Sequence, residues 1–131
     1  MGYETSSTGE FIRRYKTEFN QLKPVKCATI GEKVHFNMVG FKHLIYKGQH
    51  RRPTKVIFNR LVLIPLIIPT LKNAAEILET RIRKEVVDGK KVEVMYHALE
   101  AKVGRKSVHI RVVVRKIGQK GQFHFFSIMK Y

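Results

Sequence analysis

The chain has 131 residues, and 26 lysines and arginines against 10 aspartates and glutamates give it a formal net charge of +16. That length makes one domain, because two would each be too small to bury a core, and an apolar content of 44% excludes a disordered tail. The cationic excess favours a polyanionic partner (nucleic acid, anionic membrane or acidic protein) over a neutral metabolite.

Residues 1–8 are small and polar and read as a loose N-terminus, which leaves 9–131 as a single domain. Phe11, Ile12, Tyr15, Phe19 and Leu22 predict an amphipathic helix over 10–22, with Thr8 as its cap and Pro24 beyond its end. A short strand is expected near 33–36. Asn37 then caps a second helix carrying Met38, Phe41, Leu44 and Ile45 on one side, and Gly48 stops it. Arg51-Arg52-Pro53-Thr54 reads as a turn. A third helix over 54–64 breaks at Pro65, with a continuation over 69–75.

The second half has strand character. Runs over 77–87, 92–103, 107–117 and 122–131 are separated by Asp88-Gly89, Gly104 and the Gly118–Gly121 loop. Val108, Ile110, Val112 and Val114 alternate with His109, Arg111 and Arg115. The expected fold is α+β, with N-terminal helices packed on a four-stranded antiparallel β-meander whose other face stays open. On the last strand His124 and Phe126 share one face, with Ser127 on the other. A two-residue loop before that strand pairs Ser127 with Val112 and Lys130 with His109; a three-residue loop carries Ser127 to the Arg111 face.

The longest apolar run, 61–68, holds eight residues and is interrupted by Pro65, whereas a bilayer span needs about 20. No membrane partner is expected, and with no signal-like segment at the N-terminus the expected location is cytoplasmic. One cysteine, Cys27, excludes an internal disulfide and a cysteine-built metal site, and the six histidines form no metal-binding pattern. No cofactor or metal is expected.

Charge is unevenly placed. Between Lys23 and Arg60 there are nine basic residues and one acidic one; from Lys102 to Tyr131 there are eight and none. Six of the ten carboxylates lie between Glu76 and Glu100. If the two cationic stretches adjoin, they form a positive groove lined with imidazoles; if not, they are a solvated surface. Lys42 and His43 project within about 100° of each other on the second helix, and His50, Arg51 and Arg52 follow. His109 and Arg111 share a strand face. His35, His97 and His124 read as structural.

Histidine, lysine, arginine and serine without clustered carboxylates suit metal-free RNA cleavage. The ribose 2′-OH is the nucleophile, histidine titrates in the range of an acid or base, and arginine grips phosphate at two points. The candidate catalytic residues are His43, His109, Arg111 and Ser127. The candidate nucleic-acid-binding residues are Lys42, Arg51, Arg52, Arg115 and Lys130.

Residues 34–45 (Val-His-Phe-Asn-Met-Val-Gly-Phe-Lys-His-Leu-Ile), with 108–117 and 123–130, resemble the barnase–colicin D–RelE-like superfamily of small metal-independent RNases. The resemblance covers about residues 33–131. It implies His43 as general acid or base, Lys42 and Arg51 as phosphate ligands, and His109, Arg111 and Ser127 around the scissile phosphate. The chain departs from the barnase-type pattern in having no glutamate in its closing hairpin. The resemblance also implies tRNA or mRNA as substrate and an acidic antitoxin or immunity protein as partner. A non-catalytic RNA-binding protein using the same basic surface is the alternative, and an interaction protein for an acidic partner or lipid is a third.

Overall fold

The computed structural model describes residues 2–131, with side chains from Thr8 onward. Helix α1 spans Gly2–Asn20. It starts ahead of the expected cap at Thr8 and takes in most of the segment expected to be loose; Met1 lies outside the described residues. Serine and threonine cost only about half a kcal/mol each against alanine in a helix, so the run 5–8 does not stop it. Strands β1 (Val25–Cys27) and β2 (Glu32–His35) lead to α2 (Met38–Ile45). Asn37 caps α2 as expected, its side chain accepting from the amides of Val39 and Gly40 at 3.1 and 3.4 Å.

The helix ends at Ile45, before Gly48. Gly48, at φ +64°, instead turns a two-residue hairpin between β3 (Tyr46–Lys47) and β4 (His50–Arg51). Helix α3 (Thr54–Leu61), a 3₁₀ turn (Ile64–Leu66) around Pro65 and α4 (Ile67–Asn73) complete the first half. By length and composition Thr54–Asn73 could cross a bilayer. Here Ile57, Leu61, Ile64, Ile67 and Leu71 are buried in the core.

The long strands β5 (Ile77–Val87), β6 (Lys90–Val103), β7 (Val108–Ile117) and β8 (Phe123–Lys130) follow. Asp88 and Gly89 both have positive φ, as a tight hairpin turn with right-handed strand twist requires. The fold is α+β, but the sheet is six-stranded and mixed, in the order β1-β2-β8-β7-β6-β5. Strand β2 adds to β8 in parallel, Val34 beside Phe123 and His35 beside His124. The expected four-stranded antiparallel sheet is thus widened on the β8 side. Short parallel pairing between segments some ninety residues apart leaves no local pattern to read.

The helices cover one face. Leu99, Val103, Ile110, Val112, Val114, Phe123, Phe125 and Ile128 meet Phe19, Phe41, Leu44, Ile57, Leu61, Ile67 and Leu71 there. Phe19 has ring contacts with both Phe41 and Phe125. Strand β2 ends at His35, so α2 takes over beside β8. A Cβ on Gly40 would lie 2.5 Å from the carbonyl oxygen of Phe125.

Gly40→Ala is therefore expected to destabilise the fold by about 1–3 kcal/mol, the usual cost of overpacking. Gly9→Ala in α1 is expected to stabilise it by about 0.5–1 kcal/mol, since its methyl meets only Arg13 at 3.7 Å. Urea unfolding of both variants checks the opposite signs.

Candidate nucleic-acid site on the open sheet face

On the uncovered face the register aligns side chains in rows across the strands. One row is Glu79–Ala98–Val113–Ser127 and the next is Arg81–Tyr96–Arg115–His124. On the other side lies Glu100–Arg111–Met129. Small side chains in the middle row and large ones beside it leave a trough. With His43, Arg83 and Phe126 at its margins, this is a cleft of about 410 Å³.

The β8 end of the cleft is shaped by a bulge. Val114 pairs with Phe125 and Val113 with Ser127, so Phe126 has no partner. Ser127 therefore lies opposite Val113, on the Arg111 side, rather than on the face away from His124 and Phe126. His43, one turn after Gly40 on α2, stacks on Phe126 with ring centroids 4.1 Å apart. Arg115 lies over the same ring at 4.9 Å and Tyr96 meets its edge.

Two more arginines converge. Arg52 donates from Nε to the carbonyl of His43 at 3.1 Å. Arg60, on α3, donates to the carbonyl of Ile128 at 3.3 Å and contacts Ser127 Oγ at 3.5 Å. Burial, and then the charges of Arg52, Arg60 and Arg115, push His43 down to about 4. Among the described residues the charges that act on His43 are those of arginines. Burial and then the charge of Arg52 likewise lower Arg60. The cluster is a cationic pocket around a neutral imidazole.

The other end of the cleft is ion-paired. Glu100 accepts from Arg111 Nε at 2.7 Å and its other oxygen lies 2.6 Å from His109 Nε2. Glu79 reaches Arg111 at 3.7 Å and pairs with Arg81. The Tyr96 hydroxyl donates to Glu85 at 2.6 Å, and burial and that bond raise its pKa.

The residues expected at the site therefore divide. His43, Arg52 and Arg115 come together. Ser127 is buried and touches Arg60, so it positions that arginine. Arg111 lines the cleft but is held by carboxylates, and His109 is engaged by Glu100 beyond it. Glu100, on β6, lies directly opposite Arg111, so the acid-free β7 meets a carboxylate on the neighbouring strand. Lys42 and Arg51 are exposed on α2 and β4. Lys130 pairs with Ile110, which puts it on the helix-covered side. Arg60, Tyr96 and Phe126 were not singled out from the sequence. The adjacent Phe125 and Phe126 break period-two alternation, and that was the available sign of a bulge.

His43 is held below its ordinary value of 6.5, so the folded chain binds this proton more weakly than the unfolded one. Its contribution to stability is complete above that value and is lost as pH falls towards about 4. Bound phosphate should cancel part of the cationic field. The His43 midpoint, followed by NMR at Cε1, is expected to start near 4 and rise on adding phosphate. Arg115→Gln should raise it without phosphate. A midpoint indifferent to both would remove the pocket's electrostatic basis.

Comparison with protein-family models, curated proteins and solved structures returns no match for the chain.

Proposed function

We propose that the protein is a metal-independent endoribonuclease of the barnase–colicin D–RelE-like kind, holding the scissile phosphate between His43 and the guanidinium groups of Arg52, Arg60 and Arg115. The observation that carries this reading is the cluster of arginines around His43: Arg52 bonds its carbonyl, Arg115 shares the Phe126 ring with it, and Arg60 is held at Ser127 and Ile128 alongside. Like charges crowded into a half-buried pocket are unfavourable alone and favourable around an anion.

The chemistry follows from that charge arrangement. RNA brings its own nucleophile, the ribose 2′-OH. A neutral His43 can take its proton, and the substrate phosphate raises His43 towards the range where proton transfer is efficient at neutral pH. The arginines meet the charge that grows on the phosphorane oxygens in a site preorganised for it. Ser127 and the carbonyl of Ile128 hold Arg60 in place. Tyr96, also against Phe126, gives its hydroxyl proton to Glu85, and the leaving 5′-oxygen takes its proton from water. DNA lacks the nucleophile and should not be cut.

Incubation with total RNA and a tRNA pool in EDTA tests the reading. Fragments ending in 2′,3′-cyclic phosphate are expected, with His43→Gln slower by about 10² or more, the usual contribution of an acid–base group. RNA affinity should change little in that variant, whereas Arg52→Gln should weaken binding and flatten its salt dependence. Intact RNA of shifted mobility would leave the surface a binding one and the enzyme reading refuted.

A further inference from the structure

The cationic pocket adjoins the β8 end of the cleft, which it meets at His43 and Phe126. The cleft itself has a different character: its floor is Ala98 and Val113, cross-strand partners on β6 and β7. Tyr96 and Phe126 wall one side and Met129 stands on the other. At the β5 rim stand Glu79, Arg81 and Arg83, an acceptor beside donors. An apolar floor, aromatic walls and a few polar groups at one edge form a site for a flat heteroaromatic group.

Spacing connects the two parts. Adjacent strands lie about 5 Å apart and alternate residues on one strand about 7 Å apart. The floor at Val113 is thus one residue pair along β7 from Arg115 and one strand in from Ser127. Those are the dimensions of a sugar joining a base to its phosphate. The volume of about 410 Å³ is at the small end of the range for small-molecule sites. It admits a single nucleotide and excludes a duplex.

We infer that the trough over Ala98 and Val113 is a nucleobase subsite, which seats the base next to the scissile phosphate and presents its edge to Glu79, Arg81 and Arg83. The inference rests on the ribonuclease reading for its choice of ligand and adds a recognition element to it. Glu79 can accept from ring or exocyclic N–H groups, and Arg81 and Arg83 can donate to base oxygens and ring nitrogens. The bases differ in how these groups are arranged, so the rim gives the site a means of telling them apart.

The test compares the four nucleoside 3′-monophosphates with inorganic phosphate, using calorimetry and NMR of methyl-labelled protein. The preferred nucleotide is expected to bind about tenfold or more tighter than phosphate, the yield of one base-stacking contact, and to shift the methyl signals of Ala98 and Val113. Ala98→Leu fills the floor and should bring the ratio to about one with phosphate affinity kept. Glu79→Gln, on a half-buried rim residue that pairs with Arg81 and Arg111, should alter the order of preference among the bases. Equal affinity for nucleotide and phosphate, or silent methyls in the unaltered protein, would overturn the subsite even if RNA is cut. Tighter nucleotide binding with those methyls shifted would uphold it even if RNA is left intact, in which case the enzyme reading alone falls.

Discussion

The closeness of α2 to β8 governs the rest of the site. Strand β2 pairs with only the first residues of β8 and then turns away, leaving the edge of β8 to a helix. Gly40 lets the two backbones touch at the Phe125 carbonyl. A glycine inside a helix costs about 0.5–1 kcal/mol. The Asn37 cap recovers about 1 kcal/mol, and burial of Phe41 and Leu44 contributes about 1.5–3 kcal/mol each. Residues three apart share a helix face, so the face that brings Gly40 to β8 also brings His43 onto Phe126. The short β3–β4 hairpin then returns Arg52 to the carbonyl of His43.

The net charge is sorted along the cleft. Around His43, Arg52, Arg60 and Arg115 stand with no ion-paired carboxylate among the described residues. Farther along the face, Arg81 on β5 and Arg111 on β7 are matched by Glu79 and Glu100. The sorting follows from the uneven distribution along the chain, because the acid-rich 76–100 segment forms β5 and β6, whereas α2, α3, β7 and β8 come from the cationic stretches. In the proposed reading, phosphate affinity and edge recognition have opposite electrostatic needs, and this sorting of charge would let one open face meet both.

Local patterns made much of this legible. Asn37 before a helical spacing of apolar residues marked α2, Asp88-Gly89 marked a hairpin, and valines alternating with cations marked β7 and its two faces. Helices followed by strands marked the α+β class. His43 and Arg115 could be named because each sits beside an anchoring residue on a patterned element, and Arg52 because it lies in the basic turn that follows α2. What escaped depends on contacts between distant segments. The parallel pairing of β2 with β8 involves two residue pairs. One unpaired residue, Phe126, reverses the face of Ser127. Arg60 reaches the site only because α3 packs beside α2, and Glu100 captures Arg111 and His109 only through the β6–β7 register.

Strand β8 is the last strand in the chain, yet it is an interior strand of the sheet. It carries Phe126, Ser127 and the Ile128 carbonyl that holds Arg60, and it gives α2 its seat. Closing it against β2 and α2 joins segments some ninety residues apart, the kind of contact that forms late because its loop entropy must first be overcome. During synthesis, every other element of the site therefore exists before the pocket does. A nascent chain that lacks β8 carries the arginines and His43 without the surface that brings them together, so the cationic pocket appears only once β8 has closed against α2.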